Sequence, residues 1–437
     1  MSHAASEDLK TVNPHYLGRA IDLGKSYQVC ASEDIYDAKG VKLLAKGAVL
    51  APGMQERLIR HKLHKPLETS LSVADGVTID TVVVVARQLF DELPPLQAFA
   101  GTASAKDATL EVLARISLNN SMTTLLTMSY KAEGQRHFKH TVLVGLIATL
   151  MAMRAKLSHD EVLTVAHAGL LHDIGEMYLD PAYLKFGLHL KLEEWKHVVV
   201  HPKVGQMVLT ELTSYPVKVA RAVGEHHERL DGSGYPHRFA SKQISREGGI
   251  VAIAETLGGI FMRPDNPLQC AFLALKIIPG EFAPEFVSVV STIAKSASSC
   301  LAADSVKPLA DQTQCLKTLH QKLERALIQC DAIALSPQAH KKFVLDAQQR
   351  VSDRIAVIKR SLASSGVGAC LLEADQDQMN NEMQPEILLE MEVVSRELEW
   401  RLRDISRDLF LHLPKQDEEV GTLFAGLVET LDKLDRS

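Results

Sequence analysis

Residues 226–236 read His226-His227-Glu228-Arg229-Leu230-Asp231-Gly232-Ser233-Gly234-Tyr235-Pro236, a histidine pair followed at once by a glycine-rich turn. Upstream, residues 170–175 place a His-Asp pair at the end of an apolar helical run. Of the 18 histidines in the chain, 11 fall between His137 and His237. Neutral imidazole and carboxylate are natural ligands of Fe, Mn and Zn, so this clustering predicts a metal centre. The alternative is a histidine-rich surface.

Composition excludes several classes of protein. The 437 residues suffice for two or three domains, and the net charge of -6 implies no broad basic field, so we expect no DNA partner. The longest apolar run, residues 142–153, is too short to span a bilayer. The six cysteines form no CxxC pair and the N-terminus has no signal pattern. We therefore predict a cytoplasmic protein that is not inserted in a membrane.

The chain divides by pattern into four parts. Residues 1–75 combine short apolar runs with glycine turns, which predicts a small β-rich regulatory or docking module. Residues 76–104 are predicted to be a helical linker. Residues 105–302 carry the histidine clusters, on helices predicted at 138–157, from Ser158 to Asp173, and at 248–261. Residues 303–437 carry three apolar stripes at helical spacing, which predict a C-terminal helical bundle or hairpin. The fold class is therefore mainly α.

Seven side chains stand out as candidate metal ligands. Glu255 follows the apolar residues 251–254, where a carboxylate is costly unless it is paired or coordinates a cation. A salt-bridged core glutamate is the alternative for that position. The remaining histidines are expected in structural roles: His137, His159, His189 and His237 at the surface, and His167 in packing or hydrogen bonding. His197 is expected to be structural too, with support of the ligand His201 one turn later as the alternative. The full candidate set is His140, His172, Asp173, His201, His226, His227 and Glu255.

Adjacent ligands suit a site that holds two metals. Successive residues of an α-helix diverge by about 100°, so two neighbours cannot easily bind one ion. We expect one carboxylate to bridge two ions and each neighbour to serve its own ion. Two metals about 3.5–4 Å apart stabilise the entering and leaving oxygens of an in-line displacement and ionise a bound water. This is the chemistry of phosphoester hydrolysis.

The motifs also resemble a known family. His172-Asp173, then His201 with Gly205, then 226–236 resemble, in this order, the HD superfamily of metal-dependent phosphohydrolases, and the Gly-Tyr-Pro loop resembles its HD-GYP branch. The resemblance covers roughly residues 105–300. It implies an all-helical domain that hydrolyses cyclic di-GMP or a related phosphodiester in bacterial signalling, with two divalent metal ions, Fe or Mn.

The resemblance also assigns roles to residues. It makes the seven candidates metal ligands and places His172 and Asp173 at the catalytic centre. The signature loop comprises Asp231, Gly232, Gly234, Tyr235 and Pro236, and contacts between this loop and a signalling protein are implied. The candidate substrate-binding residues are Arg229, Gly234, Tyr235 and Arg263.

Four positions depart from the family pattern. Glu176 stands where many members have a lysine that contacts a phosphate, and Arg136 stands where members with three metals have a glutamate. Glu255 replaces the usual aspartate, and Gly258 replaces a further aspartate. The alternative function is therefore a degenerate member that acts as a nucleotide sensor or protein-binding regulator without turnover; a phosphohydrolase for another substrate is a third hypothesis. The tail stripes predict a homodimer formed through the C-terminal helices.

Overall fold

The fold is mainly α, as predicted. The structure, a computed structural model, describes residues 9–185, 187–263, 267–296, 309–365, 367, 385–414 and 417–433. The α-helices of these residues are α1 Pro14–Leu23, α2 Gln55–Ile59, α3 Ile79–Glu92, α4 Pro94–Ala100, α5 Ala103–Ala114, α6 Asn120–Lys131, α7 Arg136–Arg154, α8 His159–Leu171, α9 Leu192–Val198, α10 His201–Leu212, α11 Val217–Glu225, α12 Arg246–Phe261, α13 Pro267–Lys276, α14 Pro284–Ser296, α15 Leu309–Ala334, α16 Lys342–Ser364, α17 Pro385–His412 and α18 Glu418–Asp432.

The N-terminal segment contains four short strands, β1 Val29–Ala31, β2 Ile35–Tyr36, β3 Lys42–Leu44 and β4 Leu71–Val73. Strands β1 and β4 pair antiparallel, as do β2 and β3. The sequence of residues 53–63 predicts a helix in this segment. The helix that forms there, α2, is shorter and covers only residues 55–59. Residues 48–50 form no named strand and contribute a single bridge between Cys30 and Val49.

Helices α7, α8, α10, α11 and α12 pack against one another and carry the histidine clusters. Helix α8 begins where its capping box predicted, since Ser158 accepts from the Glu161 backbone and the Glu161 side chain accepts from the Ser158 backbone. It ends at Leu171, two residues earlier than predicted. A tight helical turn, Ile174–Tyr178, then follows Asp173.

Gly175 explains why this turn can approach α10. A Cβ atom at Gly175 would collide with the backbone carbonyl of His201 and would lie 2.7 Å from the backbone nitrogen of Gly205. Only glycine permits this separation. The close approach brings Asp173, two residues earlier, toward the first residue of α10.

The chain divides into two compact units, Met1–Arg263 with Phe282–Val289 and Pro264–Glu281 with Val290–Ser437. The four-part division drawn from the sequence stays a prediction. In the described residues, no helix is both long enough and apolar enough to cross a membrane.

Within the second unit, α15, α16, α17 and α18 pack around one apolar core. The three stripes predicted from the tail meet in this core. Leu319 and Leu323 come from α15, Ile355 from α16, and Leu398 and Leu402 from α17. The apolar stripes therefore pack against one another within a single chain. The homodimer stays a prediction, and these stripes do not require a second chain to be buried.

Candidate metal centre

The seven candidate ligands are delivered mainly by the ends of helices. His140 lies in the second turn of α7, and His201 is the first residue of α10. His172 and Asp173 follow the end of α8, just as His226 and His227 follow the end of α11. Glu255 alone comes from the middle of a helix, α12. Helix ends allow neighbouring residues to leave helical geometry, which lets both members of a pair face one point.

The ligand atoms form two groups that share one residue. The first group is Asp173, His201, His226 and His227, and the second is His140, His172, Asp173 and Glu255. In each group all the donor atoms lie within 4.8 Å of one another. The structure thus brings together all seven candidates, and Asp173 belongs to both groups.

The two oxygens of Asp173 face different histidines. Oδ1 lies 3.4 Å from His201 Nε2 and 3.6 Å from His226 Nε2. Oδ2 lies 2.9 Å from His172 Nε2 and 3.9 Å from His140 Nε2. The Asp173 carboxylate therefore lies between the two groups, as a bridging carboxylate would.

Glu255 completes the second group. Its Oε2 lies 2.9 Å from His140 Nε2 and 3.1 Å from His172 Nε2. The longer glutamate side chain therefore reaches both imidazoles from the middle of α12. These contacts fit a metal ligand, and they also fit the alternative of a core glutamate that is ion-paired, with His140 and His172 as its partners.

The expectation that adjacent residues serve different ions is wrong in its simple form. His172 and Asp173 both belong to the second group, and His226 and His227 both belong to the first. The reason is that Asp173, with φ -94° and ψ 12°, has left the helix, and His226 and His227 lie in a turn beyond α11. The divergence of about 100° applies only inside a helix.

Backbone carbonyls orient three of the imidazoles. The Nδ1 atoms of His172, His201 and His226 lie 2.9, 2.8 and 2.6 Å from the carbonyl oxygens of Gly169, Val198 and Val223. An Nδ1–H that donates to a carbonyl leaves the Nε2 lone pair free to face the centre, which is the usual support of a metal-binding histidine. Among the described residues, His172 Nε2 is buried without a hydrogen-bond partner of good geometry.

The electrostatics also suit metal ligation. Burial acts to raise the pKa values of Asp173 and Glu255, but the neighbouring histidines hold both pKa values well below their usual range. Burial lowers the pKa of His226 to about 4 and holds the pKa of His227 well below its ordinary value.

Burial acts to lower the pKa values of His140, His172 and His201 as well, but the neighbouring carboxylates, among them Asp173 and Glu255, raise these three pKa values above the ordinary value. Because ionised carboxylates and neutral imidazoles are the forms that bind a cation, these three imidazoles would release a proton on binding. The residues present therefore fit a metal site.

Gly258 lies beside the second group. A Cβ atom there would lie 2.8 Å from Val144 Cγ2 and 3.3 Å from His140 Cε1. The aspartate that the family pattern places at this position would require α7 and α12 to separate. The absence of a side chain at Gly258 therefore permits the close packing beside His140.

The signature loop is held by a buried carboxylate. Glu228 Oε1 accepts from the His237 backbone N–H at 2.7 Å, and Oε2 accepts from that of Phe239 at 2.9 Å. Tyr235 stacks on the ligand His227, with ring centroids 4.5 Å apart. Tyr235 therefore connects the signature loop to the first ligand group.

Other loop residues have structural contacts. Asp231 Oδ1 accepts from the Ser233 backbone N–H at 3.0 Å, and Asp231 forms a backbone bridge with Ala240. Gly232 adopts a φ of 77°, Gly234 is buried, and Tyr235–Pro236 is a cis peptide.

The candidate substrate-binding arginines differ in placement. Arg229 is buried, donates to the Glu228 carbonyl and stacks over the Phe282 ring at 4.8 Å. The structure does not bring Arg229 into either ligand group. Arg263 is exposed and lies just beyond α12, eight residues after Glu255.

His137 is the residue that sequence reasoning missed. It was expected at the surface, but its Nδ1 lies 3.3 Å from Glu176 Oε2 and only 19% of its side chain is exposed. His137, Thr141, Asp173 and Glu176 line one pocket. The spacing was the available signal, because His137 precedes His140 by one helical turn and so shares its face.

Three further side chains lie outside both ligand groups. His167 packs against Tyr215, and His197 stacks on Tyr183 rather than supporting a ligand. Trp195 meets Tyr235 edge to face, with ring centroids 5.5 Å apart.

Comparison with known proteins agrees with this geometry. Residues 120–277 match the HD domain family. A cyclic di-GMP phosphodiesterase of Thermotoga maritima is 29% identical over 178 residues, which cover 39% of this chain and 48% of the relative. A 3'3'-cGAMP-specific phosphodiesterase 3 of Vibrio cholerae is 23% identical over 264 residues, which cover 58% of this chain and 54% of the relative.

A solved structure of an HDG"Y"P protein from Bdellovibrio bacteriovorus is also similar, with a TM-score of 0.34 and 15% identity over 61% of this chain and 95% of that chain. The chain spans about half the length of the two curated relatives.

The helical core holds a histidine-carboxylate centre whose donor atoms fit divalent metal ions. Residues 120–277 match the HD domain family, and the relatives named as cyclic-dinucleotide phosphodiesterases confirm the resemblance that the motifs carry.

Proposed function

We propose that this protein is a metal-dependent phosphodiesterase that hydrolyses a cyclic dinucleotide, cyclic di-GMP or a related molecule, in bacterial second-messenger signalling. The observation that carries the proposal is the position of Asp173, whose two oxygens face two separate groups of imidazoles. A shared carboxylate between two ligand groups is the arrangement that a dinuclear centre needs.

The proposed cofactors are two divalent ions, Fe or Mn. His201, His226 and His227 would hold one, His140, His172 and Glu255 would hold the other, and Asp173 would touch both. When bound, the ions would supply Lewis acidity toward the phosphate and would lower the pKa of a bound water. Mixed imidazole and carboxylate donors suit Fe and Mn.

The protein's own part is to fix this geometry. The carbonyls behind His172, His201 and His226 hold the imidazoles in orientation, and Glu228 holds the loop that places Tyr235 against His227. The candidates for contact with the substrate remain Arg229, Gly234, Tyr235 and Arg263. Arg229 also donates to the Glu228 carbonyl, next to the loop.

A sensor without turnover is the second candidate. It is favoured by Glu176, which places a carboxyl group where the family pattern has a cation, and by Gly258, whose packing against His140 leaves no room for an aspartate. Such a protein would bind metal and nucleotide through the same seven residues.

The deciding experiment is anaerobic purification, followed by measurement of metal content and of cyclic di-GMP and 3'3'-cGAMP turnover with added Mn²⁺. We expect two ions per chain and turnover. Asp173→Asn should lose both ions and the activity, because one amide oxygen cannot serve both groups as a charged carboxylate does. Metal affinity should fall by more than the roughly 10–100-fold that loss of a supporting group costs.

The matched control is Asp91→Asn, an exposed carboxylate paired with Lys106. It should keep both the metal and the rate. Two ions with tight nucleotide binding and no turnover would establish the sensor instead. A parent chain that binds no divalent ion would contradict both candidates.

Further parts of this proposal concern location and partners. We propose that the protein works in the cytoplasm, consistent with the cysteine pattern. The signature loop is the proposed contact for a signalling protein, and a homodimer through the C-terminal helices is the proposed assembly. Sedimentation of the full chain tests the last point.

A further inference from the structure

The N-terminal helix α1 reaches the turn that follows the shared ligand Asp173. The buried face of α1 packs against the Ile174–Tyr178 turn. The rings of Tyr16 and Tyr178 stack with centroids 5.4 Å apart and an angle of 15° between their planes. A segment about 150 residues distant in sequence therefore covers the turn that begins at a metal ligand.

Arg19 is the charged side chain on this face of α1. Its Nη2 donates to the Leu179 carbonyl at 3.4 Å, just beyond the end of the turn. Its Nε is buried and makes no hydrogen bond with any residue that the structure describes. Burial lowers the pKa of Arg19, whereas the nearby Glu176 and Asp180 carboxylates act to raise it. A guanidinium is thus directed at the acidic side of the turn.

Glu176 lies within the same turn. It is buried, its Oε2 lies 3.3 Å from His137 Nδ1, and it lines the same pocket as Asp173. Burial raises the pKa of Glu176 to about 8, so most of this carboxyl group keeps its proton near neutral pH. The hydrogen bond from Arg19 to the Leu179 carbonyl is therefore the polar link between α1 and the turn.

We infer that Arg19 is a positioning residue of the metal centre: α1 delivers its guanidinium to the end of the Ile174–Tyr178 turn, where it fixes the Leu179 carbonyl and so holds Asp173 between the two ligand groups. This inference rests on the proposed metal function. It makes the N-terminal helix a working part of the centre rather than a detachable input module.

The test is titration of the metal-free full chain with Mn²⁺, with no nucleotide present. Arg19→Met should weaken Mn²⁺ binding about tenfold, the lower end of what loss of a supporting group costs. Arg19→Lys keeps the charge with fewer donors and should lose less. The control is Arg60→Met, which removes an exposed arginine paired with Glu56 in the same segment and should change nothing.

Two further measurements separate positioning from general stability. Hydrogen exchange of the Glu176 and Leu179 amides, which bond to the carbonyls of Asp173 and Glu176, should speed up in metal-free Arg19→Met but not in Arg60→Met. In a double-variant cycle, Arg19→Met and Glu176→Gln should lose affinity additively, because Arg19 acts through the Leu179 carbonyl and not through a charge on Glu176.

Unchanged Mn²⁺ affinity and unchanged exchange in Arg19→Met would overturn the inference. Losses that are not additive in the cycle would overturn the route through the Leu179 carbonyl. If Arg19→Met does not fold, Arg19→Lys decides, and parental affinity and exchange in that variant count against the inference. If the parent binds no Mn²⁺, the proposed function fails, while the exchange comparison still reports whether Arg19 holds the turn.

Discussion

Glu68 illustrates, at the scale of a single residue, how burial makes a side chain sensitive to pH. It is 2% exposed and lies beside Tyr178, while its backbone carbonyl accepts from Ser121. Burial raises the pKa of Glu68 to about 7, from an ordinary value near 4.5. The folded protein therefore holds a proton on Glu68 at pH values where the unfolded chain has released it.

The first prediction follows from this difference. Because the folded pKa is the higher one, Glu68 makes folding less favourable as pH rises from about 4.5 to about 7. A shift of this size amounts to about 3 kcal/mol at most. Glu68→Gln stays neutral, so its free energy of unfolding, measured with urea on metal-free protein, should exceed the parent's increasingly over this window. Parallel pH profiles would contradict the prediction, and the exposed Glu56→Gln serves as control.

At this scale the sequence identified the right kinds of residue in the centre. The seven candidates are the residues that the structure brings together, because a His-Asp pair, a His-His pair and a carboxylate in an apolar helix each need a partner. His137 was misplaced, since its burial depends on the later Ile174–Tyr178 turn folding back against α7. Arg19 carried no local signal, because its partners lie about 160 positions away.

At the scale of elements, the signature loop depends on one side chain for its shape. Both oxygens of Glu228 are occupied by backbone N–H groups from the far side of the loop. The Glu228 side chain is fully buried, so these bonds are shielded from water. The loop in turn carries Tyr235, which covers His227.

We therefore predict that Glu228→Ala destabilises the protein by about 2–5 kcal/mol, since two N–H groups lose a charged acceptor in a buried site. Chemical denaturation measures this loss. Glu228→Gln keeps one acceptor oxygen and should lose less than Glu228→Ala. Limited proteolysis should cut the Glu228→Ala variant first within residues 231–240. Equal stability of the alanine and glutamine variants would show that the bonds matter little.

Element boundaries were predictable where chemistry is local. Ser158 with Glu161 fixed the start of α8 correctly, because a capping box needs only residues three apart. The end of α8 was not predictable, because Gly175 marks a contact with α10 rather than the helix terminus. The start of α5 is local in the same way, because the Thr102 side chain accepts from the Ala105 backbone N–H three residues later.

At the scale of the whole molecule, the second unit has its own apolar core. Leu398 on α17 is fully buried there, whereas Ile328 on α15 is 67% exposed. Sequence periodicity predicted both helices but could not say whether their stripes meet within one chain or between two. The structure shows them meeting within one chain.

We predict that Leu398→Ala lowers the free energy of unfolding by about 2–5 kcal/mol, because it leaves a cavity in this core. Ile328→Ala should change it by less than about 0.5 kcal/mol. Calorimetry of the full chain compares the two. If sedimentation detects a dimer, and if Ile328→Ala promotes its dissociation, the exposed face of α15 takes part in assembly. Ile328→Ala would then no longer serve as a neutral control.

The position of Asp173 has a consequence for how the centre fills. In the proposed centre with two ions, the Asp173 carboxylate could not be optimised for one ion without changing its geometry for the other. The first cation to bind would set the orientation of Asp173 that the second cation meets, and the two cations would repel each other. Occupancy should therefore depend on the order and supply of ions, and the two binding steps should differ in affinity. In a cell, the protein's working state would then follow the availability of metal as well as that of nucleotide.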